Sequence, residues 1–257
     1  MEDDFAGICR GVIKRIAPEA DVIDITHGIP PQHVLQGALV LANTVPYMPV
    51  GVHLAVVDPG VGGPRKALAV RGGDGRLYVG PDNGLLLVAA DRLGGVEQAV
   101  ELANREYMLE PVSRTFHGRD IFAPAAAHLA RGVELTEFGD ALDPGELVRL
   151  EVPEPHVGRS RIRATALYVD RYGNVQLNLT SKHLEEAGIV PGTKIELEVG
   201  WERVYAVAAR TFGDARPGDV LVYEDAYRNV ALAINGGSAA HMLRARVGQE
   251  IRLARAP

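Results

Sequence analysis

Two hydrophobic periodicities meet near Pro153, and that change limits what the chain can fold into. Before it, helical and strand-like stretches alternate. Ala6 to Ile16 has apolar residues at helical spacing and stops before Pro18. Asp21 to Thr26 (DVIDIT) predicts a short buried strand, and Gln32 to Val45 a helix with Val34, Leu35, Ala38, Leu39 and Leu41 crowding one side. Val52 to Val57 is a near-continuous apolar run, as expected of a strand covered on both faces. Ala67 to Val70 and Leu77 to Val79 predict strands around a glycine-rich turn, and Leu85 to Leu93 and Ile121 to Leu129 predict helices. Such alternation predicts α/β layers. After Pro153 the pattern becomes seven short strand-like runs separated by turn residues: 162–169, 175–179, 194–199, 204–208, 220–223, 230–234 and 251–254. This spacing predicts a small all-β barrel or sandwich. The expected organisation is an α/β domain with a central mixed sheet over residues 1–150, a linker over 151–160 and a barrel-like β domain over 161–257.

Composition narrows the function classes. The net charge of −6 lacks the basic excess of most nucleic-acid binders. No apolar run approaches the roughly 20 residues of a membrane span, and the acidic start Met1-Glu2-Asp3-Asp4 is unlike a secretory leader. The one cysteine, Cys9, has no internal partner for a disulfide. These features predict a cytoplasmic protein with no nucleic-acid or membrane partner.

Four segments carry candidate chemistry. Val56 to Arg65 (VVDPGVGGPR) delivers Asp58 at the C-terminal end of a strand, the edge where open α/β sheets bind ligands. Arg65, seven residues on, is placed to fold back on that carboxylate; the alternative is an ordinary turn in which Asp58 caps backbone amides. Gly80 to Gly84 (GPDNG) reads as a helix start with Asp82 or Asn83 as N-cap. Thr115 to Asp120 (TFHGRD) puts His117 in a polar loop before a helix, where it can hold an anion or orient water, with Gly118 leaving room beside it. Asp170 to Asn174 (DRYGN) combines an aromatic ring, a glycine and an amide, which suits a purine or a plain β-turn. There is no HExxH pair, zinc-spaced Cys/His cluster, dinucleotide fingerprint, P-loop or nucleophile elbow.

Together with DITHGIPPQHV (24–34), VGPDNGLL (79–86), TFHGRDIFAPAAAHLA (115–130) and VALAINGGSAA (230–240), these segments resemble the SAM hydroxide adenosyltransferases, which use water to split S-adenosyl-L-methionine (SAM) into adenosine and methionine and are related to fluorinase and chlorinase. The resemblance implies an Asp58–Arg65–His117 catalytic set with no metal or organic cofactor. It assigns substrate contacts to Asp3, Phe5, Gln32, Thr115, Gly118, Asp170, Tyr172, Asn174, Ala226, Tyr227, Asn235 and Gly236. Asn174 and Tyr172 match adenine-holding positions, with Asn235 and Gly236 near the adenine edge. Asp170 matches a contact to the methionine amino group, and Ala226 and Tyr227 match main-chain contacts to its carboxylate. The halogenating relatives carry a hydroxyl-bearing residue at the position of Asp58 and lack the histidine, so these identities favour water over halide. The resemblance further implies a homotrimer with SAM bound between subunits. It also implies a strand and loop ahead of Asp3, roughly 15 to 20 residues by ordinary element sizes, that supply a ribose-binding aspartate. This chain starts beyond that point, which adds the reading of a non-catalytic SAM- or adenosine-binding protein; a SAM-dependent halogenase, against which Asp58 and His117 argue, and a generic metal hydrolase on an α/β scaffold are the further alternatives.

Overall fold

The computed structural model describes residues 4–256. They form two compact units that divide between Leu150 and Glu151.

The first unit contains α1 (Phe5–Ile16), α2 (Val34–Thr44), β1 (Val52–Leu54), β2 (Ala67–Gly72), β3 (Leu77–Pro81), α3 (Leu87–Arg92), β4 (Val96–Glu101), α4 (Ala123–Ala130) and β5 (Ala141–Leu142). The sheet order is β1-β3-β2-β4-β5; β1 and β3 are parallel and the other pairs antiparallel, so the sheet is mixed, as expected. Strand alternation explains its two-sided burial. Leu68 and Val70 of β2 pack with Ala38 and Leu41 of α2 and Ala89 and Ala90 of α3. Ala67 and Ala69 face the other way, toward Phe122 and Ala125 and Leu129 of α4. The alanines of α4 then let α1 approach, with Val12 and Ile13 packed on Ala123 and Ala127.

Three local expectations change. Asp21 to Thr26 forms no strand, and Val22, Ile23 and Ile25 stay exposed, because no described residue gives the segment a hydrogen-bonded ladder. Val52 to Val57 is a strand only to Leu54, although the Ala55 N–H still donates to the Val79 carbonyl at 3.0 Å. Neither Asp82 nor Asn83 is the N-cap of α3, which is Leu86 with no side-chain cap. Asn83 instead donates to the Val57 carbonyl (2.8 Å) and accepts from the Leu85 N–H (3.2 Å), while Asp82 accepts from the Val148 N–H (3.0 Å).

The second unit contains β6 (His156–Val157), β7 (Arg161–Val169), β8 (Val175–Leu177), α5 (Ser181–Glu186), β9 (Lys194–Val199), β10 (Glu202–Ala208), β11 (Val220–Glu224), β12 (Val230–Ile234), α6 (Ala239–Met242) and β13 (Glu250–Arg255). Each of the seven predicted runs is a strand. They pair in the order β13-β9-β10-β11-β12-β8-β7, and β13 pairs with β7 to close the barrel and remove its free edges. Inward positions are apolar: Ile195, Leu197 and Val199 of β9 meet Ile251 and Leu253 of β13, while Lys194, Glu196 and Glu198 alternate outward. β6, inside the segment read as linker, pairs with the start of β7.

Candidate active site

In the first unit the chain after β1 brings Asp58 to the C-terminal side of the parallel β1–β3 pair. Asn83, through the Val57 carbonyl, pins the residue just before it. Among the described residues the Asp58 carboxylate caps no backbone amide; it forms a two-pronged pair with Arg65. Arg65 Nε donates to Oδ1 and Oδ2 at 3.0 and 3.1 Å, and Nη2 donates to Oδ2. Bidentate pairing of this kind fixes a carboxylate more firmly than one hydrogen bond does. Both side chains are largely covered, at 5% exposure for Asp58 and 11% for Arg65, and the guanidinium carbon lies 5.2 Å from the centre of the Phe122 ring.

The same Arg65 Nη2 lies 2.8 Å from His117 Nδ1. A guanidinium only donates, so Nδ1 is the acceptor and the ring proton sits on Nε2. Burial pushes the His117 pKa below 6.5, and the Arg65 charge pushes it further. Asp58, Arg65 and His117 therefore form one chain of contacts through a shared guanidinium.

One glycine-dependent approach holds these loops together. At Gly62 (φ 75°) an added Cβ would lie 2.3 Å from the Arg114 carbonyl oxygen, so only glycine lets the 58–65 loop rest on the 113–117 loop. Gly118 begins a π-helical turn (Gly118–Phe122) ahead of α4 and is buried, with Phe116 and Cys9 around the place a Cβ would take. An added Cβ there would meet them at ordinary contact distance, 3.4–3.6 Å, so this packing does not itself demand glycine. Asp120, 1% exposed, steadies the loop: it pairs with Arg119 and accepts from the Ser113 N–H at 2.8 Å. Thr115 is exposed, with its N–H on Ser113 Oγ at 3.1 Å. Phe5 meets Phe116 edge to face at 4.7 Å. Gln32 precedes α2 with φ 68° and its carbonyl on the Val34 N–H. Asp3 lies outside the described residues.

In the second unit Asp170 closes the turn between β7 and β8. Its Oδ1 accepts from the N–H groups of Tyr172 and Asn174, at 2.8 and 2.9 Å, and its Oδ2 accepts from Asn174 Nδ2 at 2.8 Å. One N–H of the Asn174 side-chain amide is thus used, leaving its second N–H and its Oδ1 without a described partner. The exposed Tyr172 ring is stacked by Arg171 at 4.8 Å. Gly173 (φ 81°) sits so close to Ser238 that a Cβ would be 2.0 Å from its Oγ, and its carbonyl accepts from the Ala240 N–H at 2.9 Å. The DRYGN and INGGSAA segments therefore pack as one piece. Asn235 anchors the neighbouring loop through the carbonyls of Phe212 and Ala215, and Gly236 turns the chain at φ 83°. Ala226 and Tyr227 are exposed, and the Tyr227 N–H already donates to Asp225 Oδ1 at 2.8 Å. Asp225 and Gln176 line a cavity with Asp170 and Asn174, a feature the sequence reading missed.

Comparison with known proteins places this geometry in a family. Residues 1–139 match the SAM hydroxide adenosyltransferase N-terminal domain, and residues 164–252 match its C-terminal domain. A protein of Salinispora tropica named (R)-S-adenosyl-L-methionine hydrolase is 49% identical over 253 residues, covering 98% of this chain and 94% of that protein. A fluorinase from Actinoplanes sp. is 27% identical over 281 residues, covering 99% and 94% of the two chains. The crystal structure of an uncharacterized conserved protein from Thermotoga maritima superposes with a TM-score of 0.91 at 36% identity, covering 99% of this chain and 97% of that one. The chain belongs to the SAM hydroxide adenosyltransferase family. No described helix is long and apolar enough to cross a membrane.

Proposed function

We propose that this protein hydrolyses SAM to adenosine and L-methionine by attack of water on the 5′ carbon. The observation that carries the reading is the Asp58–Arg65–His117 contact chain, in a family whose relatives at about half identity are named SAM hydrolases. The sulfonium already makes the 5′ carbon electrophilic and methionine a neutral leaving group. The protein needs only to align an oxygen nucleophile and take one proton. Asp58, fixed by Arg65, accepts a hydrogen bond from the attacking water and then its proton. The C5′–S bond breaks as the C5′–O bond forms, and its electron pair stays on methionine sulfur. His117, with Nδ1 occupied by Arg65, presents Nε2–H to orient the water. Alignment of water with the C–S axis supplies several kcal/mol of the rate enhancement. A carboxylate at the nucleophile position also repels halide at close range, which favours water over the fluorinase reaction.

The reading includes a homotrimer in the cytoplasm. Unit 1 holds the proposed catalytic set and unit 2 the turns matched to adenine and methionine, and the family resemblance supports their meeting across a subunit boundary.

The test is incubation with SAM in halide-free oxygen-18 water, followed by mass spectrometry. Adenosine carrying the heavy oxygen at its 5′ position is the expected product. Intact SAM, or unlabelled adenosine, overturns the reading; SAM that binds and stays intact identifies a binding protein, and a chlorinated nucleoside on adding chloride identifies a halogenase.

Acid behaviour follows from His117. In the folded site its proton is held less tightly than in the unfolded chain, so the unfolded chain takes up more protons as pH falls through 6.5. The site's contribution to stability is therefore intact above that pH and declines below it. The acid limb of kcat/KM is expected below 6.5, where a protonated ring faces Arg65 and gives up its Nδ1 contact; a limb above 6.5 contradicts the assignment.

A further inference from the structure

The second unit carries two turns of the same build. Asp170-Arg171-Tyr172-Gly173-Asn174 joins β7 to β8, and Asp225-Ala226-Tyr227-Arg228-Asn229 joins β11 to β12. In each, the aspartate N–H donates to the carbonyl of the asparagine four residues on, at 3.0 and 2.7 Å. In each, aspartate Oδ1 accepts from the tyrosine N–H at 2.8 Å and the asparagine N–H at 2.9 Å. The left-handed position is Gly173 in one and Arg228 in the other.

Between the turns runs a cross-strand row on β7, β8, β12 and β11: Tyr168 pairs with Gln176, Gln176 with Ala231, and Ala231 with Tyr223. Their chain neighbours Val175, Leu177, Leu232 and Val222 point into the barrel core, so the row lies on its outer face. Row and turns line a cavity of about 160 Å³. That is smaller than the roughly 300–1,000 Å³ of whole small-molecule sites, so it takes one end of a ligand.

The only charged side chains lining this cavity are carboxylates, Asp170 and Asp225, beside tyrosine hydroxyls and the amides of Asn174 and Gln176. Gln176 is 3% exposed, and its Oε1 has no hydrogen-bond partner among the described residues. Asp225 spends Oδ1 on two N–H groups and leaves Oδ2 without a described partner. Asp170 brings a second carboxylate, and the lining contains no lysine, arginine or histidine. Burial raises the Asp225 pKa, and the neighbouring acidic groups add to it. Burial and the two carboxylates push the Tyr168 and Tyr223 hydroxyls up to about 12. An orphaned carbonyl beside two like charges is costly until a cationic donor arrives.

We infer that Asp225 and Gln176 join Asp170 to select the substrate by its primary ammonium group. An ammonium offers three N–H donors, matching the Asp170 carboxylate, Asp225 Oδ2 and Gln176 Oε1. This inference rests on the SAM reading and adds two specificity residues to it.

The experiment measures binding of SAM, and of the analogue with hydrogen in place of its ammonium, to the full-length protein by calorimetry. The proteins are the wild type, Asp225→Asn and Gln176→Leu, each checked for folding by circular dichroism. Wild type is expected to bind the des-amino analogue about 10- to 100-fold more weakly than SAM, the range for hydrogen bonds to a charged group. Each variant is expected to weaken SAM binding by about 10-fold while shifting the analogue less than about 2-fold. Equal binding of the two ligands to wild type, or equal losses for both in the variants, overturns the inference and leaves the turns a structural role. If Asp225→Asn does not fold, Gln176→Leu decides alone. Ammonium selectivity without adenosine release counts against the hydrolase reading only; adenosine release without ammonium selectivity counts against this inference only.

Discussion

Asp58→Asn is expected to lower kcat for adenosine release by about 10²–10⁴-fold, the usual worth of a positioned general base. The amide keeps nearly the same shape, so Arg65 retains one acceptor, but it cannot take the water's proton. Asp58→Ala is harsher. It strands the Arg65 guanidinium at 11% exposure, and removing one partner of a buried pair costs roughly 3–5 kcal/mol of stability. Comparing the two variants by steady-state kinetics and thermal unfolding separates chemistry from folding. A Asp58→Asn protein with near-normal kcat removes Asp58 from the proposed role.

Gly62→Ala is the second large effect. The added Cβ falls 2.3 Å from the Arg114 carbonyl oxygen, and φ at this position is 75°. A left-handed non-glycine residue costs about 1–2 kcal/mol, and forced backbone displacement adds about 1–3 kcal/mol. The 58–65 loop must then lift off the 113–117 loop, which separates Arg65 from His117. A melting point lower by roughly 5–15 °C is expected, together with loss of most activity. Gly7→Ala is the control, because a Cβ there meets nothing within 4 Å and the position is helical. Equal behaviour of the two variants shows that the loop contact does not matter.

Periodicity was enough for most elements because it records which face of a segment is buried. The seven runs after Pro153 are the seven barrel strands, and the α/β alternation before it is the layered sheet with helices on both faces. β4, Val96–Glu101, escaped notice because VEQAVE mixes polar and apolar residues without clean alternation. DVIDIT misled in the opposite direction. Its residues suit a strand, but a strand exists only against a partner, and none is present among the described residues.

The candidate site divides in the same way. Asp58 and Arg65 are seven residues apart, and the tight turn between them made their meeting legible from local chain geometry. Nothing local joins His117, 52 residues further on, to that pair; the family pattern suggested it, and the packing of Gly62 on Arg114 brings the two loops into contact. Asn83 read as a helix cap because its contact with the Val57 carbonyl spans 26 residues. Gln176 read as one more residue of a strand, and Asp225 as part of a turn, until sheet register set them beside Asp170 on one face. The sequence by itself determined what its neighbours along the chain control: two architectures and the family motifs. Only the tertiary structure decided which polar groups find partners and which are left facing a cavity, because burial and hydrogen bonding depend on segments distant in the chain.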